Sequence, residues 1–117
     1  MNFDDWRFLI VLNRMKRAER DGRMEEAEKE ILFRQIGAKI AYYRTLRGLT
    51  QEQLASRINV NKSTIGRIER GKYNHNISVS ILMDIAEGLH VDLALFFTFS
   101  EQEKKMWWEL EQVMEGG

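Results

Sequence analysis

Between Gln51 and Arg70 the apolar residues fall into two short sets separated by a polar turn. Leu54 and Ile58 stand four apart and Ile65 and Ile68 three apart, so each pair shares one face of a helix. Thr50 followed by Gln53 is a capping box, which satisfies orphan amide donors and predicts a helix start at Gln51. Asn59 tolerates the left-handed conformation that ends a helix, Val60 is apolar within the turn, and Asn61 is a cap for a second helix. Ala55 is small, as required where two steeply crossed helices bring their backbones closest.

The flanking segments carry helical periodicity as well. FDDWRFLIVLNRMKRAER offers Asp4 and Asp5 as caps and is apolar almost all round from Trp6 to Leu12, which predicts a helix buried on several sides. After Asp21 and Gly22, the residues Met24, Ala27, Ile31, Leu32, Ile36, Ile40 and Tyr43 recur at spacings of three and four. With no proline and only Gly37 inside, this second helix is expected to run from near Arg23 to Arg47, roughly 37 Å at 1.5 Å per residue, until Gly48 ends it. Beyond the link GKYNHNIS, Ser78 is the cap of a helix whose Leu82, Ile85, Ala86 and Leu89 face inward. Asp92 caps a shorter one, whose Leu93, Phe96 and Phe97 are expected to close a core with Ile40, Leu54, Ile58, Ile65 and Ile68. Ser100 and Glu103 form another capping box, opening a helix with Met106, Trp107, Leu110, Val113 and Met114 on one broad face.

The run LTQEQLASRINVNKSTIGRIERG, Leu49 to Gly71, resembles the Cro and lambda-repressor family of helix-turn-helix regulators. The likeness extends over Ile36 to Phe97, with Asn59 where the family usually has glycine and no proline in the Gly71 to Ser78 link. It implies an all-α fold: a five-helix lambda-repressor-like DNA-binding domain over residues 36–99, with extra helices over 1–35 and 100–117. It also implies roles for particular residues. Gln51 matches the family's phosphate-contact position, at a helix start where amide donors favour an anion. Asn61, Lys62, Ser63, Thr64 and Arg67 are the face that enters the major groove, with Lys62 and Arg67 as donors to guanine. Arg70, Lys72, Tyr73 and Asn74 add backbone contacts. Arg44 and Glu69 match an ion pair between the first and third helices of the domain.

A formal net charge of zero would argue against a nucleic-acid partner were the charge evenly spread. It is not: from Ile36 to Tyr73 eight basic residues face two acidic ones, a local charge of +6 on the helix pair and its neighbours. The absence of cysteine excludes disulfides and thiolate metal sites, and His75 and His90 lack carboxylates at ligand spacing, so no cofactor or metal is expected and the histidines read as surface or turn residues. No phosphate loop, catalytic carboxylate pair or nucleophile motif marks an enzyme. The longest apolar run, Phe8 to Leu12, is too short for a membrane span, and a cytoplasmic location is expected.

These observations describe a sequence-specific regulator of double-stranded DNA, a repressor binding an inverted-repeat operator as a homodimer. The alternative is an antitoxin-like module that neutralises a protein partner; RNA binding is disfavoured because the aromatics do not cluster with the basic residues. The terminal helices either pack against a second subunit, with Trp6, Leu9, Trp107 and Leu110 as interface anchors, or fold back on their own domain.

Overall fold

The computed structural model describes residues 26–72 and 77–116, the side chains at 26, 27, 108 and 110–116 excepted. Every element among them is helical: α1 Glu26–Leu46, α2 Gln51–Arg57, α3 Lys62–Glu69, α4 Val79–Leu89, a 3-10 helix Leu93–Phe97, and α5 Glu101–Gly116. Residues Glu30–Thr98 form one compact unit. The reading of residues 1 to 25, and with it the first predicted helix, lies outside the described residues.

Helix ends within the unit follow one pattern. Gly48, Asn59, Gly71 and His90 all have positive φ, between 54° and 73°. At each, two amides turn back onto the last helical carbonyls, as Gly48 N to Thr45 O at 2.9 Å and Leu49 N to Arg44 O at 3.1 Å do after α1. This 6→1 closure needs a left-handed residue, which glycine adopts freely and Asn59 and His90 adopt at modest cost. The starts are equally regular. Thr50 and Gln53 make the reciprocal capping box, Ser78 Oγ accepts from Ile81 N at 3.1 Å, and Asp92 Oδ1 accepts from Ala94 N at 2.9 Å. Outside the unit, Ser100 Oγ accepts from Glu103 N at 3.1 Å to open α5.

The core gathers Ile36 and Ile40 of α1, Leu54 and Ala55 of α2, Ile65 and Ile68 of α3, Leu82, Ile85, Ala86 and Leu89 of α4, and Phe96. Leu32, Tyr43, Ile58 and Leu93 are half-buried against it. Phe97 is a correction: it is 46% exposed and does not close the core. The fifth element is a 3-10 helix, in which residues three apart eclipse one another, so Leu93 and Phe96 share the inward face while Phe97 turns away.

Gly37 lies where α1 crosses the end of α3. A Cβ there would stand 2.5 Å from the Glu69 carbonyl oxygen and against that of Ile68, and backbone cannot step aside as a flexible side chain would. Gly37→Ala is therefore expected to destabilise the protein despite alanine's helix preference, worth about 1 kcal/mol, because overpacking costs about 1 to 3 kcal/mol. A chemical denaturation midpoint at or above that of the wild type would show that the two helices do not need this approach.

Candidate nucleic-acid interface

α2 and α3 are joined by a turn of four residues, three of whose amides bond back to α2. Ile58 N donates to Leu54 O at 3.2 Å, Asn59 N to Ser56 O at 3.3 Å and Val60 N to Ala55 O at 3.0 Å. Asn61 takes the cap position with extended backbone, but its side chain makes no capping bond. The start of α3 rests on the Asn61 carbonyl, which accepts from Thr64 N at 3.0 Å, and its carboxamide stays exposed on the surface.

A charged network holds α3 against the rest of the unit. Arg44 Nε of α1 donates to Glu69 Oε2 at 2.6 Å and its Nη2 to Glu69 Oε1 at 3.1 Å, a two-pronged pair. Its Nη1 donates to the Leu49 carbonyl at 2.7 Å, and Gln51 Nε2 donates to Glu69 Oε1 at 3.0 Å. Four chain segments thus meet on one carboxylate and one guanidinium, whose side chains are only 6% and 16% exposed.

Among the eight basic residues of the cationic stretch, Arg44, Arg47 and Arg57 are bonded to protein oxygens, which the charge sum by itself hides. Besides Arg44, Arg47 donates from Nε to the Leu89 carbonyl and from Nη2 to that of His90, both at 2.9 Å, and Arg57 Nη1 reaches the Gly88 carbonyl at 3.0 Å. The two arginines satisfy the last carbonyls of α4, where the helix dipole favours a cation. Positive charge is left concentrated on α3 and just beyond it. Lys62, Arg67, Arg70 and Lys72 are all exposed, and the one carboxylate on that helix, Glu69, is taken up by Arg44.

With Ile65 and Ile68 buried, about 3.6 residues per turn puts Lys62, Ser63, Gly66, Arg67 and Arg70 on one outward arc of α3. Asn61 and Ser63 are exposed beside them and Thr64 is half-buried at the edge. Gln51 is half-buried at the start of α2. Tyr73 and Asn74, like His75, lie outside the described residues; His90 is the left-handed turn residue after α4. Of the interface anchors, Trp6 and Leu9 lie outside the described residues, as does the side chain of Leu110, while Trp107 is half-buried on α5. Sequence reasoning passed over Gly66, although a glycine costs a helix interior about 1 kcal/mol relative to alanine and so signals a close approach. Among the described residues there is no cluster that could hold a metal ion, and no helix is long and apolar enough to cross a membrane.

A family model described as Helix-turn-helix matches residues 40–96, from the second half of α1 to the 3-10 helix. An HTH-type transcriptional regulator of Methanocaldococcus jannaschii is 38% identical over 65 residues, which are 56% of this chain and 96% of that protein. The chain belongs to this family of helix-turn-helix transcriptional regulators. A transcriptional regulator in the ATPase CF(0) region of Rhodospirillum rubrum is 40% identical over 67 residues, 57% of this chain and 60% of that protein. Among solved structures, the restriction-modification controller protein C.AhdI of Aeromonas hydrophila aligns with a TM-score of 0.52 at 28% identity, covering 55% of this chain and 94% of that one. The wild-type controller protein C.Esp1396I gives 0.51 at 29% identity, over 70% of this chain and 95% of that one. The relatives are regulators and not enzymes.

Removing one partner of the Arg44–Glu69 pair leaves an uncompensated charge in a poorly hydrated site. Glu69→Ala is expected to lower the unfolding free energy by about 3 kcal/mol, the low end for buried pairs because Arg44 keeps some access to water. Urea denaturation of the single variant checks this, and an unchanged midpoint would mean the pair contributes no more than an exposed one.

Proposed function

We propose that this regulator is a sequence-specific double-stranded DNA-binding repressor that acts in the cytoplasm and engages an inverted-repeat operator as a homodimer. The observation that carries the reading is the outward arc of α3: a helix anchored by Ile65 and Ile68, cleared of negative charge by Arg44, and presenting Lys62, Ser63, Arg67 and Arg70 together. A helix of that kind fits the major groove. Lys62 and Arg67 donate to guanine, Ser63 and Thr64 bond a base edge or a phosphate, and Asn61 sits at the tip with its carboxamide unspent on capping. Gln51, Arg70, Lys72, Tyr73 and Asn74 serve the DNA backbone. C.Esp1396I, a structural neighbour, has been solved as a tetramer in complex with its natural 35 base-pair operator, which supports operator binding and self-association as the mode of action.

The domain division is part of the same reading: residues 36–99 bind DNA, while 1–35 and 100–117 associate. One short recognition helix reads only a few base pairs, and a two-fold dimer places two of them about 34 Å apart on successive groove faces. Trp6, Leu9, Trp107 and Leu110 are the anchors assigned to the interface, since aromatic and large aliphatic side chains bury the most area.

Selection of bound duplexes from a random pool tests the central claim, and the expected product is an enriched inverted repeat. On that sequence Arg67→Ala is expected to lose about 1 to 3 kcal/mol and to relax preference at one base pair, whereas Gln51→Ala weakens all duplexes alike. Equal losses on selected and random DNA for both variants would undo the division of roles.

The full-length chain at micromolar concentration is expected to sediment with twice its 13.9 kDa mass. A monomer that binds one asymmetric half-site would remove the dimer from the reading while leaving DNA recognition in place.

A further inference from the structure

α4 carries a line of side chains that the described residues leave uncovered. Val79, Met83 and Glu87 stand four apart on its outer side, with Ser80 and Asp84 in the next line. Val79 is 63% exposed and Met83 55%, and Ser80, Asp84 and Glu87 are exposed as well. Neither the Asp84 nor the Glu87 carboxylate makes a hydrogen bond or ion pair among the described residues. The core takes the opposite side of the helix, through Leu82, Ile85, Ala86 and Leu89.

The chemistry of this line restricts what can cover it. Two carboxylates repel a phosphate backbone, so the face is not a second DNA surface. α4 of a second copy is equally unsuited, because a two-fold pair sets Glu87 against either the other Glu87 or the other Val79, and no cation meets it. A fitting partner repeats the spacing with the opposite charge: two apolar residues and then a cation at i, i+4 and i+8. Phe8, Leu12 and Lys16 in the amino-terminal segment of this chain have that order. From Arg7 to Arg20 there are five basic residues and one acidic one, so the segment as a whole is drawn to a carboxylate-bearing face. It is also apolar almost all round from Trp6 to Leu12, and one neighbour cannot cover such a stretch on every side.

We propose that the amino-terminal segment of one copy docks along α4 of a second copy, Phe8 by Val79, Leu12 by Met83 and Lys16 by Glu87, and that two copies exchange segments in this way. The docking rests on the homodimer reading above and names the surface that the segment covers. The apolar pairs supply burial. The Lys16–Glu87 contact fixes direction and register, because a reversed segment sets Lys16 against Val79 and leaves Glu87 without a cation.

The chain has no cysteine, so single introduced cysteines report contacts without background. Full-length Leu12→Cys and Met83→Cys proteins, one carrying an affinity tag, are mixed, re-equilibrated and oxidised with copper phenanthroline. The expected product is a disulfide-linked pair of unlike chains, in excess over the linked pair from either variant alone. Sedimentation of charge-reversed proteins gives a second readout. Glu87→Lys and Lys16→Glu are each expected to weaken the dimer roughly tenfold, and the two reversals in one chain to restore it. Glu87 is exposed, so its reversal does not threaten the fold. A dimer that links no unlike chains, or whose losses multiply in the double reversal, would overturn the docking and leave the homodimer standing. So would a Met83→Cys protein that links to itself, or a Leu12→Cys/Met83→Cys chain that closes its disulfide as a monomer. A wild-type chain that sediments as a monomer overturns the docking together with the dimer, and selection of duplexes by that monomer would keep DNA recognition.

Discussion

The guanidinium of Arg44 decides where α3 stands. It reaches from α1 to both oxygens of Glu69 and to the Leu49 carbonyl, so it fixes the end of α3 and the entry to α2 with one planar group. A charge this poorly hydrated is tolerable only when its donors are met, and the geometry that meets them admits little sliding of α1 along α3. Gly37 and Gly71 make the same approach possible sterically: the first faces the Ile68 and Glu69 carbonyls, and the second faces the backbone of Arg34. Electrostatic and steric constraints therefore act on the same crossing.

Seven of the eight basic residues of the central stretch, Lys39 of α1 apart, divide into two groups by where they stand. Arg44, Arg47 and Arg57 are satisfied by protein carboxylate or carbonyl oxygens, and their contribution is to hold helices in place. The cations of α3 and its exit are exposed, and the one carboxylate of that helix, Glu69, is paired with Arg44. Clearing negative charge from the outward face matters as much as adding positive charge to it, because a phosphate polyanion responds to the local field and not to the zero total of the chain. The Arg44–Glu69 pair thus serves stability and surface potential at once.

Membership of the helix-turn-helix regulator family rests on residues 40–96 and on relatives aligned over little more than half of the chain. That portion contains the helix pair, the charged network and nearly the whole core. The remainder includes α5, with its exposed Met106 and half-buried Trp107.

Local signals were legible in the chain itself. Thr50 with Gln53, Ser78, Asp92, and Ser100 with Glu103 announce helix starts, and Gly48, Asn59 and Gly71 announce ends, because capping and left-handed turns depend on the residue and its immediate neighbours. The periodic apolar residues likewise identified most of the core, and with it an all-helical fold. What the tertiary structure decided were the matters that depend on residues far apart in sequence. It sent Arg47 and Arg57 to the carbonyls of α4, 31 to 43 positions away, laid Arg70 over Gly66 beside Gln51, and drew a 3-10 helix that turned Phe97 outward. An arginine carries the same charge wherever it stands in the chain, and only the fold determines whether that charge meets a carbonyl, a carboxylate or water.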